Sequence, residues 1–397
     1  MGYKVRVPAY YDKFTCIAGK CEDTCCAGWE IDIDENSYEY YKNLPGEFGE
    51  KVRNCIKEYE GSEEDVYEVH GFRLKEGKRC PFLQKDGLCE MILTLGEDAL
   101  CDVCTDTPRN FLEYGGMQEI SLSPSCAEAG RLIFGSEQKV EFLTRERDGT
   151  LELSESEEEC LFGERIRAVR DYGLELLQER KYSVRERMGA FLCFGKEVQQ
   201  RLNEENTMGL DRLLEKKFSE YLAQARELKV KRQDSGKAEY ISFLRRLAAY
   251  SGLSAINEEW EQYLEDMNTA FAEGTQGERY YREAMEGYIF QMEVEHRGVE
   301  WEQLAVYFCF LMLSRCVDDW NFWGKVQFVA VSWLFVRDMD ALRYAREGKY
   351  TREDRVDVMR IYCKEVEHSQ ENLELLEEAF LFEEGYSLEE LLTSMIL

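Results

Sequence analysis

The stretch CIAGKCEDTCCAGWEIDID (residues 16–34) decides how this chain is organised, because it places four cysteines directly before an alternating apolar and acidic segment. Ten of the fifteen cysteines lie before residue 127, and all five prolines lie before residue 125. A long remainder without proline is typical of helices, since proline interrupts helical hydrogen bonding. The sequence therefore predicts two parts of different character.

The predicted fold class is α+β, predominantly α, with a small cysteine-rich N-terminal domain that binds a metal or cluster and a large helical bundle after it. The predicted boundaries are 1–146 for the cysteine-rich domain, 147–160 for an acidic connector and 161–397 for the helical domain. The connector is predicted from the acidic, serine-bearing segment RDGTLELSESEEE (147–159), which lacks apolar periodicity. We expect the first domain to need its metal for stability, because it is small and rich in loops.

Local signals in the first domain predict short elements. Trp29, Ile31 and Ile33 alternate with acidic residues, as in a half-buried strand, and Asp34 is placed to cap a short helix through Tyr41. The alternation resumes in MQEISLS (117–123), and the Asp-Gly pair at 86–87 predicts a hairpin turn.

Helical signals fill the remainder of the chain. Ser-x-x-Glu at 183–186 and at 387–390 matches the reciprocal capping box, and residues 162–177 repeat apolar side chains at helical spacing. The segment LAVYFCFLML (304–313) is apolar on every side, which predicts a buried central helix. We predict a bundle of roughly eight to eleven helices.

Charge and hydropathy exclude several classes of partner. The net charge of -30 argues against nucleic acid, because phosphate binding needs clustered Lys and Arg. The longest apolar runs, at 304–313 and 328–336, are shorter than the roughly 20 residues that cross a bilayer, so no membrane span is expected. Many thiols without a secretory signal predict a reducing, cytoplasmic location. The oligomeric state is not predicted by these features.

Eight cysteines lie in four short cassettes, which predicts a metal or cluster site. The candidate ligands are Cys16, Cys21, Cys25, Cys26, Cys80, Cys89, Cys104 and Cys126. No cassette contains one of the three histidines, so all-thiolate coordination of zinc or an iron-sulfur cluster is expected, with buried reduced cysteines as the alternative. A disulfide between the neighbours Cys25 and Cys26 would be strained, whereas thiolates pointing to opposite sides can serve one site or two. Cys101 leaves the ligand from the third cassette open.

Two common signatures of S-adenosylmethionine enzymes are absent from the sequence. The radical type places cysteines four and then three residues apart, but the position that follows Cys21 and Cys25 at this spacing is Gly28. Nor does a glycine-rich turn join a strand to a helix as in a Rossmann methyltransferase. Neither of these two cofactor-binding motifs is therefore predicted for this chain.

Several segments over residues 5–132 nevertheless occur in the order of a known family. They are VPAYYDKFTC (7–16), CEDTCCAGWEIDID (21–34), RCPFLQKDGLCEM (79–91), LGEDAL (95–100), TPR (107–109) and SLSPSCAEAGRL (121–132). On these segments the chain resembles the flagellin lysine-N-methylase family, or FliB-like proteins, which is related to zinc- or iron-chelating CxxCxxCC domain proteins. The resemblance implies methyl transfer from S-adenosylmethionine to lysine ε-amines of flagellin. It also implies that the cysteines hold an iron-sulfur cluster of the 4Fe-4S type, with zinc as the alternative.

Three further kinds of residue are candidates for this chemistry. Asp23 and Asp32 belong to an acidic group beside the thiols, which either guides and deprotonates a lysine or is a plain solvated strand face. Arg109 is predicted to bind the carboxylate of the cofactor's methionine moiety or to neutralise the thiolates. Trp29 is a candidate for stacking on adenine, with core packing as its alternative. The competing functions are a non-catalytic zinc- or iron-binding protein and an iron-sulfur redox or sensor protein.

Overall fold

The computed structural model describes residues 2–59, 69–151, 155–230 and 235–395. The chain is mostly helical with a smaller share of strand, which confirms the predicted α+β, predominantly α class. The strands are β1 (Gly2–Pro8), β2 (Asp32–Ile33), β3 (Ile56–Glu58), β4 (His70–Phe72), β5 (Arg109–Tyr114), β6 (Met117–Leu122) and β7 (Phe142–Asp148).

Helices α1 to α5 lie before residue 135, and the remaining helices follow β7. The first five are α1 (Glu35–Lys42), α2 (Gly46–Asn54), α3 (Glu90–Leu95), α4 (Asp102–Asp106) and α5 (Ala127–Phe134). The others are α6 (Glu157–Leu177), α7 (Val184–Asn203), α8 (Phe218–Val230), α9 (Ser235–Ser251), α10 (Glu258–Met267), α11 (Gly277–Val294), α12 (Gly298–Met312), α13 (Cys316–Asp319), α14 (Phe322–Glu347), α15 (Arg352–Val366), α16 (Gln370–Phe382) and α17 (Leu388–Ser394).

Two compact units share the chain, and their limits differ from the predicted division. The helical unit comprises Met1–Lys13, Phe111–Ser121 and Gly130–Leu397, and the thiol unit comprises Phe14–Asn110 and Leu122–Ala129. The boundary predicted around 147–160 rests on composition, which does not report strand pairing. Pairing between distant segments instead brings the N-terminal strand into the helical unit.

The sheet of the helical unit has the strand order β5-β6-β1-β7. β1 runs parallel to β6 and antiparallel to β7, and the β1–β7 pairing extends from Gly2 opposite Asp148 to Pro8 opposite Phe142. β6 lies where the alternation at 117–123 predicted a strand, and all six of its residues are buried. A buried ion pair between Arg170 of α6 and Glu119 of β6, 2.6 Å apart, holds a helix against this sheet.

The predicted helical signals are confirmed within the helical unit. Ser183 and Ser387 each complete a capping box at the start of α7 and α17. The predicted central helix is α12, in which every residue from Glu300 to Met312 is buried. The described residues contain twelve α-helices after β7, one more than predicted, because periodicity does not resolve a four-residue helix such as α13. None of the helices in the described ranges is both long and apolar enough to cross a membrane.

The thiol unit has a small antiparallel sheet of order β2-β4-β3. The strand predicted around Trp29 is reduced to β2, but Ile31 and Ile33 are buried, as the alternation predicted. The side chain of Asp34 caps α1 by accepting from the backbone N–H of Ser37 at 2.8 Å. The predicted Asp86-Gly87 turn is also present, since Leu83 pairs with Cys89 across it.

Candidate metal centre

Nine cysteines of the thiol unit fall into two groups. We call Cys16, Cys21, Cys25 and Cys126 the outer thiols, and Cys26, Cys80, Cys89, Cys101 and Cys104 the inner thiols. Among the inner thiols, Cys80 and Cys101 belong to a buried apolar cluster and the other three pack against it. The outer thiols are outside that cluster but electrostatically coupled, since Cys16 and Cys126 both help to raise the pKa of Cys25.

Cys25 and Cys26 form the junction between the two groups. A side-chain hydrogen bond between them raises the pKa of Cys25 and lowers that of Cys26, to which Arg79 also contributes. Cys26 in turn acts as a charged neighbour of the inner thiols Cys80 and Cys104. Cys25 and Cys26 therefore link the two groups, and their mutual hydrogen bond places the two sulfurs close together rather than on opposite sides.

Backbone pairing brings the first two cassettes together. The N–H of Cys80 donates to the carbonyl of Cys26 at 2.8 Å, and Ala27 forms an antiparallel bridge with Arg79. The turn between Cys80 and Cys89 then reverses the direction of the chain, so that both thiols lie near Cys26. Cysteines that are far apart in sequence thus meet through ordinary strand and turn hydrogen bonds.

The third cassette contributes a pair of thiols. Cys101 precedes α4, Cys104 lies within it, and the Cys104 N–H donates to the Cys101 carbonyl at 3.0 Å. Their thiols also share a hydrogen bond, which raises the pKa of Cys104 and lowers that of Cys101. The sequence prediction assigned only Cys104 as a ligand. The Cys-x-x-Cys spacing at 101–104 was the signal that would have added Cys101.

The donor chemistry of these groups suits a thiolate-bound metal or cluster. The cysteine sulfurs of both groups are the ligand type that zinc and iron-sulfur centres prefer. The ring of His70 stacks on Tyr38 with centroids 3.5 Å apart, so this histidine has a packing role. Across the described ranges, no set of three or more His, Cys, Asp or Glu side chains is arranged as a metal site. A bound metal therefore stays a prediction, supported by the number and grouping of the thiols.

The predicted acidic and aromatic candidates also lie within the thiol unit. The Asp23 carbonyl accepts from the Cys21 thiol at 2.7 Å, and the Trp29 indole N–H donates to the Cys25 carbonyl at 2.9 Å. Asp32 accepts from the Tyr59 hydroxyl at 2.6 Å. These hydrogen bonds fix the three residues within the thiol unit. The roles of Asp23 and Asp32 in catalysis and of Trp29 in adenine stacking stay predictions.

Arg109 is the first residue of β5, and its guanidinium reaches back to the C-terminal end of α4, the helix that carries Cys104. Its Nη1 donates to the Thr105 carbonyl at 3.3 Å, and its guanidinium lies 5.5 Å from the centre of the Phe14 ring. A positive charge at a helix C-terminus is stabilising because the exposed carbonyls there carry partial negative charge. These contacts leave both predicted roles of Arg109 open.

Comparison with known proteins adds evidence from the helical part of the chain. The profile of a family described as "FliB lysine N-methylase C-terminal domain" matches residues 170–394, which is more than half of the chain. The chain belongs to the FliB lysine N-methylase family. The FliB match lies within the helical unit, whereas the sequence resemblance rested on the cysteine-rich segments.

Curated relatives agree with the FliB assignment over a shorter stretch. The proteins named "Lysine-N-methylase" from Salmonella typhimurium (strain LT2) and Salmonella choleraesuis (strain SC-B67) are each 27% identical over 137 residues. That stretch is 31% of this chain and 31% of each relative, so the match spans about a third of their length. A "Flagellar biosynthetic protein FliU" from Salmonella muenchen is 26% identical over 31% of this chain and 73% of its own. No solved structure matches.

Proposed function

We propose that this protein transfers methyl groups from S-adenosylmethionine to lysine ε-amines of flagellin. Membership in the FliB lysine N-methylase family is the observation that carries this proposal. Two relatives are named lysine-N-methylases and a third is named a flagellar biosynthetic protein, which supports a flagellar substrate. A reducing cytoplasm would keep the many thiols available and is the location we propose.

The reaction needs a neutral amine in line with an activated methyl group. The lysine nitrogen forms a bond to the methyl carbon while the carbon–sulfur bond of the sulfonium breaks, which releases S-adenosylhomocysteine. Because the reference pKa of lysine is near 10.4, the site must accept a proton from the ammonium before attack. Asp23 and Asp32 are the proposed acceptors, as carboxylates of the unit that also holds the thiols.

The thiol unit is the proposed site of a resident cluster. The outer and inner thiols would hold an iron-sulfur cluster, with zinc as the alternative, and Arg109 would offset their negative charge. Bound there, the group would cross-link the four cassettes, which matters in a unit whose described residues form one small sheet and four short α-helices, α1 to α4. The thiols, backbone carbonyls and aromatic rings of the thiol unit would hold the cluster in place.

A transfer assay with matched variants tests the proposal. Protein purified without oxygen is incubated with S-adenosylmethionine and unmodified flagellin, and flagellin is then analysed by mass spectrometry. We expect mass increases in methyl-sized steps on lysine, with histones and free lysine as poor substrates. Cys104→Ala should reduce transfer strongly, whereas the matched variant Cys363→Ala, in a buried helical position, should not. Metal-loaded protein that transfers no methyl group but exchanges electrons would favour the redox function instead.

A further inference from the structure

A cavity of about 930 Å³ opens in the helical unit. Its walls come from the residues that follow β1, the segment between α5 and β7, and side chains of the helical bundle. Cavities that bind small molecules typically have volumes of roughly 300–1,000 Å³, so this one has room for a whole metabolite rather than a single ion. Its lining includes Tyr10, Lys13, Arg131, Leu132, Lys139 and Arg180.

The side chains around this cavity are mostly basic, although the whole chain carries a net charge of -30. Four basic side chains line it against one carboxylate, that of Glu141. Ion pairs fix the two arginines in place. Arg131 pairs with Glu353 at 2.9 Å, and Arg180 pairs with Glu302 at 2.8 Å.

A positive excess remains when these ion-pair partners are included. Glu302 is shared with a further arginine, Arg187, at 2.5 Å. The lining side chains and their partners therefore comprise five cations and three carboxylates, an excess of two positive charges. Lys13 and Lys139 supply this excess, since both are exposed and neither forms an ion pair within the described ranges. We call this site the cationic cavity.

The acidity of the whole chain does not cancel this local charge. At physiological ionic strength the Debye length is about 8 Å, so exposed charges at greater distances are largely screened. A phosphate monoester carries about -1.5 to -2 charges at pH 7, and lysine is a common phosphate ligand because its ammonium acts as a point charge. Two lysines without ion-pair partners therefore suit a phosphate-bearing ligand.

The backbone that carries Lys139 is fixed by long-range hydrogen bonds. The Val140 N–H donates to the Gln178 side chain at 2.8 Å, at the end of α6. The Ala9 N–H donates to the carbonyl of Glu141, also at 2.8 Å. Because this wall is already ordered, less conformational entropy is lost when a ligand binds to it.

An apolar surface lies in the same cavity. Tyr10, Leu132 and Val140 belong to the lining, and each is half-buried. A partly exposed aromatic ring beside aliphatic side chains offers a surface on which a planar ring can pack. A bare anion would leave this surface uncovered and most of the volume unfilled.

A second cavity of the helical unit, about 890 Å³, is similar in size but balanced in charge. Arg6 there is paired with Asp171 at 2.7 Å. It therefore provides a control for the effect of a positive excess. Three basic side chains and three carboxylates line it: Lys4, Arg6, Arg167, Glu155, Glu164 and Asp171.

We propose that the cationic cavity binds a nucleotide, with Lys13 and Lys139 on its phosphates and the ring of Tyr10 against its base. This assignment is independent of the methylase function and adds a second ligand to the protein. An uncharged nucleoside would leave both lysines without a partner. A polynucleotide would extend beyond the cavity across a strongly acidic chain, so a single nucleotide fits the charges better.

Equilibrium binding to the full chain, measured by calorimetry, tests this assignment. The probes are the 5′-diphosphates of adenosine, guanosine and uridine, and at least one should bind to the unmodified protein. The double variant Lys13→Gln/Lys139→Gln should bind that nucleotide about tenfold or more weakly, because two charge-assisted contacts are lost. Lys4→Gln, at an exposed lysine of the second cavity, is the matched control and should bind it as the unmodified protein does.

Three results would overturn the nucleotide assignment. One is that none of the three diphosphates binds to the unmodified protein. Another is equal affinity in the unmodified protein and both variants, which would show that the lysines of the cationic cavity do not contact the ligand. The third is inorganic pyrophosphate that binds as tightly as the nucleotides, which would indicate an adventitious ion only. Thermal unfolding of each variant checks that the exposed lysine substitutions leave the fold intact.

Discussion

The carboxylate of Asp34 joins two segments of the thiol unit. It accepts from the N–H of Ser37 at 2.8 Å and from the N–H of Asp102 at 3.0 Å, so it caps α1 and holds the start of α4. Burial alone would raise the pKa of Asp34, but these N–H groups outweigh burial and lower it below 3.8. The ionised carboxylate therefore stabilises the fold fully above that value, and the contribution is lost as the pH falls through the lowered pKa.

Asp34→Ala should destabilise the thiol unit by about 1–2 kcal/mol at pH 7, because a helix cap and a long-range hydrogen bond are lost. Asp34→Asn is the matched control, since asparagine also caps helices but does not titrate. Hydrogen exchange of the α1 amides measures the first effect. Unfolding as a function of pH measures the contribution of the ionised carboxylate. The unmodified protein should be more stable than Asp34→Asn at neutral pH, and this difference in stability should shrink below pH 3.8. Equal protection of α1 in Asp34→Ala would refute the capping role.

We expect metal content to distinguish the cassette cysteines from the buried cysteines of the helical unit. In protein purified without oxygen we expect iron and sulfide. Cys21→Ala and Cys80→Ala, one in each thiol group, should lose much of that content because each removes a ligand. Cys309→Ala and Cys363→Ala, in buried helices, should keep it. Colourless protein with stoichiometric zinc would contradict the cluster, and equal loss in all four variants would contradict the site.

At the scale of elements, the fold was predictable wherever the signal was local. Ser183 and Ser387 cap their helices as the Ser-x-x-Glu pattern predicted, and the apolar run at 304–313 lies in the buried helix α12. The sequence left the ligand of the third cassette open between Cys101 and Cys104, and the hydrogen bond between their thiols shows only that the two lie together. The cavity lined by Lys13, Lys139 and Gln303 was not predictable, since these residues are far apart in sequence and only tertiary packing brings them to the same cavity.

Glu302 shows how strongly α12 depends on buried charge. Its side chain is 2% exposed and receives Arg180 at 2.8 Å and Arg187 at 2.5 Å. Glu302→Ala should destabilise the helical unit by about 3–5 kcal/mol, because it leaves the buried Arg187 without its carboxylate. Glu204→Ala, which removes an exposed pair with Arg201, should cost less than about 1 kcal/mol. Urea unfolding compares the two variants, and similar losses would show that burial does not govern these pairs.

At the scale of the whole molecule, contacts between distant segments determine the division into units more than local composition does. The sheet and the bundle of the helical unit share the buried Glu119–Arg170 pair, a 2.7 Å hydrogen bond between Tyr114 and Ser314, and stacked rings of Phe142 and Phe310. The sequence predicted a connector at 147–160 because it is acidic and polar, but no local signal reports these long-range contacts.

A specific protease site inserted after Leu151 therefore should not separate the protein into independent parts. The N-terminal fragment contains the sheet strands and the C-terminal fragment contains α6 to α17, and buried contacts join them. We expect the two fragments to co-elute in gel filtration under native conditions and to separate in urea. Separation without denaturant would support the division predicted from composition instead.

The central claim is direct methyl transfer from S-adenosylmethionine to a flagellin lysine, without a radical step. It is tested most directly with a methyl donor that carries three deuterium atoms on the transferred carbon. Intact protein, S-adenosylmethionine labelled in this way and unmodified flagellin are incubated without oxygen, and flagellin peptides are mapped by mass spectrometry. We predict lysine methyl groups that retain all three deuterium atoms, because attack of the amine on the sulfonium leaves the methyl C–H bonds intact. Unlabelled flagellin, or lysine methyl groups that have lost deuterium, would contradict the account.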